Sequence, residues 1–374
     1  MRQLVGTNAG LLVVGLLSFV LMGAGQSMYG PALPAFARMF ALGGNEVALL
    51  VSAHWVGAAV GVTAMFLRAD KVTPRLMLAL MALGAGMVAS GLHWGLVLLG
   101  AVVFGAGYGG STTIYNRRFL MRFGARGPAM LSLLNAVFGI GAIGAPLAFV
   151  ALGSDTRLAY GLVAVLTGLA VLGAGAAGPA EPATATAGRF SFRPGILTFG
   201  ALAIGVEASL IGLGPVALIA AGETEARAAE LLSLFFVAFL AARLGLVWVS
   251  GALAPFTLFT LALGLAGGLA LGAAMVDAAL FFVALGVCAG MFFPAFYVCA
   301  SVRMGDDARV SATIIAAGLA GGIVCPLLLG VLMARFGDAV FFWVIAGMTL
   351  AAFVAGVLAL GRMNRPEPAP GREA

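Results

Sequence analysis

"ALAIGVEASLIGLGP" (residues 201–215) holds a single acid in an otherwise apolar run. Glu207 is preceded by 13 uncharged residues back to Pro194 and followed by 15 through Gly222. Such a run is long enough to cross a bilayer, which takes about 20 apolar residues. Working outward, the same character extends over almost the whole chain. Its 374 residues are 62% hydrophobic and 9% charged, with a mean hydropathy of +1.12. Soluble domains carry about 25% charged residues, so the solvent implied here is lipid. Residues 3–37, 76–116 and 244–276 contain no Lys, Arg, Asp or Glu.

The pattern predicts twelve spans, at about 11–31, 47–67, 75–92, 95–117, 127–152, 158–177, 195–219, 229–250, 254–275, 279–302, 310–333 and 339–361. Runs of this length exceed the roughly 10-residue strands of a membrane barrel. Helices also bond their own backbone, as lipid requires. The start, Arg2 followed by an apolar run, reads as an uncleaved first helix rather than a signal peptide. Cys288, Cys299 and Cys325 lie in spans without metal-ligand or disulfide spacing and read as packing residues.

Charge sets the orientation. With both termini in the cytoplasm, the outer loops hold Arg38, Arg157, Arg227 and Arg335, and Arg243 falls inside a span. The other 15 of the 20 basic residues are then on the inner side, as the positive-inside rule expects for an even helix count. The net charge of +6 therefore reports membrane orientation, and no nucleic-acid partner is expected. "AGPAEPATATAGRFSFRP" (177–194) reads as a flexible cytoplasmic linker near mid-chain.

A mid-chain linker suggests two related halves. At an offset of 181, "FGAGYG" (104–109) lies over "LGVCAG" (285–290), Pro74 over Pro255, Ser52 over Ser233 and Gln26 over Glu207. At 180, "GAIGAPLAFV" (141–150) lies over "GGIVCPLLLG" (321–330). The fold class expected is an all-α integral membrane protein of 12 transmembrane helices in two pseudo-symmetric six-helix bundles. Residues 1–177 form the first bundle, 178–194 the linker and 195–374 the second bundle. Parallel repeats of this kind are related by an axis along the membrane normal.

With twelve spans, a central linker and parallel halves, the whole chain resembles the major facilitator superfamily (MFS) of secondary transporters. In that superfamily the loop between spans 2 and 3 carries Gly-x-x-x-Asp-Arg-x-Gly-Arg-Arg. Here "FLRADKVTPR" (66–75) keeps Asp70, Lys71 and Arg75, with Phe66 and Thr73 at the glycine places. The resemblance implies a cytoplasmic gate of Asp70, Lys71, Arg75 and Arg126; the alternative is an ordinary solvated loop. "GIGAIGAP" (139–146) resembles the Gly/Pro motif of antiporters, broken by Ala145 and Phe149. It also matches a dinucleotide fingerprint by letter, but without the preceding strand that such a site needs. "YGPALPAF", "IGVEAS" and the Asn116, Arg126, Gly127, Phe138 constellation resemble the fucose/galactose/glucose symporter group. No sugar substrate is carried over from it.

A charged carboxylate at mid-bilayer costs on the order of 3 kcal/mol. Its protonated form costs much less, and a proton carrier uses that difference. Glu207 is therefore the expected proton-coupling residue. Its repeat mate Gln26 belongs to the expected substrate-binding set, with Tyr29, Arg243, Asn116, Asn135, His54 and Tyr297. For Glu207 the competing reading is a structural pair with Arg243. For His54 and Tyr297 it is packing. Gly57/Gly61, Gly105/Gly109, Gly264/Gly268, Gly286/Gly290 and Gly318/Gly322 have the small-xxx-small spacing of close helix contacts.

The function expected is secondary active transport of a small organic solute by alternating access. A proton-coupled, multi-pass monomer of the cell inner membrane is expected, with protons and the lipid bilayer as its other partners. Drug or metabolite efflux by proton antiport is the alternative reading. A membrane sensor or assembly protein on a transporter scaffold is a reading from another class. No enzymatic constellation and no cofactor or metal motif is present in the sequence.

Overall fold

The computed structural model describes residues 8–179, 189–249, 253–305 and 307–364. The centre of the expected linker, 180–188, lies outside them, as do Arg2, Arg365 and Arg372 of the orientation argument. Thirteen α-helices and two short 3-10 turns, with no strand, make up the described residues. They are α1 (Ala9–Ser27), α2 (Tyr29–Phe40), α3 (Gly44–Arg68), α4 (Pro74–Ser90), α5 (Trp94–Arg122), α6 (Gly127–Ala151) and α7 (Thr156–Gly173). The second set is α8 (Pro194–Ala220), α9 (Glu225–Val249), α10 (Pro255–Met275), α11 (Ala278–Met304), α12 (Ala308–Phe336) and α13 (Val340–Met363). Eleven apolar stretches are at least 18 residues long, enough to cross a membrane. Pro74–Ser90 is as apolar but has only 17 residues.

Polar residues between the apolar runs set the helix ends. Thr73 Oγ1 accepts from Leu76 N at 3.1 Å, starting α4. Asp155 Oδ1 accepts from Arg157 N and Leu158 N at 2.7 and 3.1 Å, starting α7. Asp277 and Asp307 cap α11 and α12 in the same way. Each accepts from a backbone N–H that has no partner within its own helix. The repeat mates Pro74 and Pro255 both open a helix, where the missing N–H has no cost.

The first span differs from its expected bounds of 11–31. The helix continues to Phe40, broken only at Met28. Pro31 accounts for the break. It has no N–H to give to Ser27 O, and its ring crowds that carbonyl. Arg38 consequently lies in the last turn of α2 rather than in a loop.

Within the first half, α3 and α4 pack on α5, α4 on α7 and α1 on α6. Within the second, α9 and α10 pack on α11, α8 on α12 and α10 on α13. The repeat is visible in individual atoms. A Cβ on Gly105 would overlap His54 O, and one on Gly286 would overlap Phe235 O; both members of the two pairs differ by 181. Gly109 and Gly290 stand in the same way against Ala58 O and Phe239 O. Gly141 meets Val20 O, and Gly321 meets Ala201 O. Here the glycines differ by 180 and the carbonyls by 181, matching the one-residue deletion seen in the sequence. Gly57/Gly61 also meet backbone, on α5. Two expected glycine pairs do not: Gly264 lies under the Phe353 ring, Gly268 has nothing within 4 Å, and Gly318 is 3.4 Å from Ile204. Spacing sets which residues share a face, while the neighbouring helix determines how closely that face is approached.

Candidate functional site

The halves meet along α3–α12, α6–α9 and α2 against α8. Named contacts between them cluster toward the face opposite the termini. Ser52 Oγ donates to Ile323 O at 2.9 Å. A Cβ on Gly212 would meet Val51, and one on Gly322 would meet the Trp55 ring. At the rim, the Arg38 guanidinium grips the Glu225 carboxylate through both oxygens; the Nη2–Oε2 arm is 3.1 Å. On the terminal face, Asp70, Lys71, Arg75 and Arg126 are exposed. Asp70 makes no ion pair with a described residue. The guanidinium of Arg75 lies over Gly175, just beyond α7.

Between these faces lies a polar cluster. The α1–α2 kink brings Gln26 and Tyr29 beside α3. There they line a narrow pocket with Val51, His54 and Trp55, closed by Ala208, Ile211 and Gly212 of α8. About 10 Å³ of it is open to water, room for about one molecule. His54 lies ten residues into α3, deeper than the outer third expected from its span. It is 1% exposed, and neither ring nitrogen has a hydrogen-bond partner. Its ring is 5.3 Å from Tyr29, 5.6 Å from Trp55 and 5.0 Å from Tyr108. Gln26 Oε1 and Tyr29 OH are likewise buried without a partner.

Glu207 follows one residue before this pocket's α8 wall, halfway along its helix and half-buried. Its Oε2 is buried without a partner, and so is Arg243 Nε on α9. The two charges act on each other electrostatically, and Tyr108 of α5 is influenced by both. Even so, they form no ion pair within 4.0 Å. The Arg243 guanidinium instead stacks 4.3 Å above the Phe239 ring. Buried polar atoms in proteins are nearly always hydrogen-bonded. A group of orphaned ones at the junction of two halves therefore marks a place for a polar occupant.

The remaining candidates separate. Asn116 Oδ1 is buried without a partner. Asn135 Nδ2 donates to Leu131 O of its own helix at 2.9 Å. Tyr297 OH bonds Ser311 Oγ at 2.7 Å, tying α11 to α12. Sequence reading missed Tyr108, an uncharged ring with no signal above its apolar neighbours. It also missed the Arg38–Glu225 pair, whose members are 187 residues apart. A larger crevice of about 400 Å³ on the outside of α10, α11 and α13 is lined only by apolar residues, among them Leu258, Met291 and Phe353. It has no part in the polar cluster.

Solved structures share this architecture. A point mutant of the nucleoside transporter NupG is 14% identical with a TM-score of 0.76, over 96% of this chain and 100% of that one. A D-xylose-proton symporter is 14% identical with a TM-score of 0.73, over 96% and 98%. The MFS transporter FucP, in the outward conformation, is 18% identical with a TM-score of 0.60, over 93% and 98%. At these identities the likeness is one of fold, and the fold is that of the MFS transporters. No family model and no curated protein matches the chain.

Proposed function

We propose that the chain is a secondary active transporter that moves a small organic solute by alternating access, coupled to protons through Glu207. Its units are two six-helix bundles, 1–177 and 195–374, joined by 178–194. Pro74–Ser90 serves as a short twelfth span, within the mismatch that bilayers absorb by thinning. The charge asymmetry supports an inner-membrane placement with both termini cytoplasmic. In that orientation the halves are joined at the outer face, and the Asp70 loop is exposed on the inner one. The similar structures, among them a D-xylose-proton symporter, support the same reading.

One observation carries the proposal. Glu207 is halfway through a span, half-buried, unpaired and beside a pocket of orphaned polar atoms shared by both halves. A structural acid in lipid would be held in a close ion pair with its lone pairs satisfied. A carboxyl left free is placed to exchange a proton with whichever side the site faces. Each proton crossing 100 mV contributes about 2.3 kcal/mol.

The test is Glu207→Gln in proteoliposomes. Gradient-driven accumulation is expected to be abolished, while exchange of substrate across the membrane without a gradient persists. Accumulation at the wild-type level in that variant would sink the proposal.

A further inference from the structure

Arg243 carries a charge that no close ion pair with a described residue balances. It lies in a membrane helix, and its Nε is buried without a partner. Its Cζ sits over the Phe239 ring, 4.3 Å from the centroid, a contact that uses none of its N–H groups. That is the pose in which arginine receives a planar anion. The groups whose fields reach it are Glu207 on α8 and Tyr108 on α5. Beyond them lie His54, enclosed by the rings of Tyr29, Trp55 and Tyr108, and the neutral Gln26.

We propose that Arg243 anchors a carboxylate on the transported solute, so that the substrate class is small organic monoanions. The proposal rests on the reading of Glu207 as the coupling site. With Glu207 ionised, the two side chains compensate each other at a distance, and a second anion is repelled. With Glu207 protonated, Arg243 is left as an uncompensated charge in a low-dielectric site, and a carboxylate restores neutrality. Proton and anion therefore favour each other's binding, and the coupling is reciprocal. The uncharged hydrogen-bonding groups nearby, Gln26, Tyr29 and His54, are left to the rest of the solute.

The test is binding rather than transport, so its failure differs from failure of the transporter reading. Thermal unfolding of the purified protein in nanodiscs is followed at acid and neutral pH. The probes are benzoate, lactate and gluconate, each beside its neutral counterpart, benzamide, lactamide or glucose. At least one carboxylate is expected to stabilise the protein, with affinity at least about thirty-fold above its neutral counterpart, the scale of losing one partner of a buried charge pair. Arg243→Lys keeps that preference and Arg243→Gln erases it. Glu207→Gln, a mimic of the protonated acid, binds the carboxylate with little dependence on pH. Three results each overturn the proposal: no carboxylate stabilises the wild type, the neutral counterpart binds equally well, or Arg243→Gln retains the preference. Should Arg243→Gln not fold, loss of pH dependence in Glu207→Gln decides the matter, and its persistence counts against the proposal. Equal binding of a neutral solute leaves the transporter reading intact.

Discussion

Breaking the Arg38–Glu225 grip should shift the protein toward separation of its halves on the face opposite the termini. The pair is bidentate but exposed, at 61% and 36% of its side-chain surface. An exposed pair of good geometry contributes about 0.5–1 kcal/mol. Glu225→Gln is thus expected to raise the separated population about two- to five-fold. Arg38→Glu does more, adding like-charge repulsion of about 1 kcal/mol at 4 Å in water. The combined change of about 2 kcal/mol is about thirty-fold in the equilibrium. Ser52→Cys is a suitable reporter, because Ser52 is 3% exposed and its hydroxyl is bonded across the halves to Ile323 O. A membrane-impermeant maleimide applied on that face should label it at a rate proportional to the separated population. The order expected is wild type, then Glu225→Gln, then Arg38→Glu, with Arg38→Glu/Glu225→Arg restored toward wild type. Raising salt to about 1 M, where the Debye length is about 3 Å, should compress the series. Arg38→Glu labelled at the wild-type rate, or a double reversal that fails to restore it, refutes the reasoning.

Gly321→Ala puts a methyl into Ala201 O. It should cost about 1–3 kcal/mol, read as a lower Tm. Gly168→Ala, with nothing within 4 Å of the new methyl, should gain about 0.5–1 kcal/mol in the same assay. Arg118 is 3% exposed and donates to the carbonyls of Ala177, Gly178 and Pro179, where the chain leaves the first half. Arg118→Ala should cost about 1.5–3 kcal/mol, seen as a lower Tm and faster trypsin cleavage at Arg189. Asp338, in the α12–α13 loop, is held above the ordinary carboxylate range by partial burial. A raised folded-state pKa means that stability falls as pH rises through it. Asp338→Asn should therefore be more stable than wild type near pH 7, and the advantage should vanish where both states of the wild type are protonated.

Where the solvent alone decides, the sequence was legible. Lipid forces each backbone segment to bond itself, so the apolar runs predicted helices such as 195–219, observed at Pro194–Ala220, to within a residue or two. The boundary misjudged furthest, at the first span, was set by Pro31 acting inside a helix that continues beyond it. The repeat was legible in spacing, since Gly105/Gly109 and Gly286/Gly290 had to face a partner; which carbonyls they would meet was not. Glu207 stood out because a charge in lipid has no bland explanation, and Gln26 followed from it by the offset. Tyr108 and the Arg38–Glu225 pair were hidden for a different reason. Their significance lies in three-dimensional proximity, and neither carries a periodic or compositional mark. Asn135 and Tyr297 looked like site residues by polarity, yet their hydrogen bonds are local or structural.

The glycine contacts have one more implication. Gly105 rests on the carbonyl of His54, and Gly290 on that of Phe239, whose ring carries Arg243. His54, which lines the pocket, and Phe239, which carries Arg243, are thus clamped at their main chain, independent of what their side chains are. Cargo preference and scaffold are separately adjustable at both places: a new group at 54 or 239 alters what is held without loosening the frame that holds it.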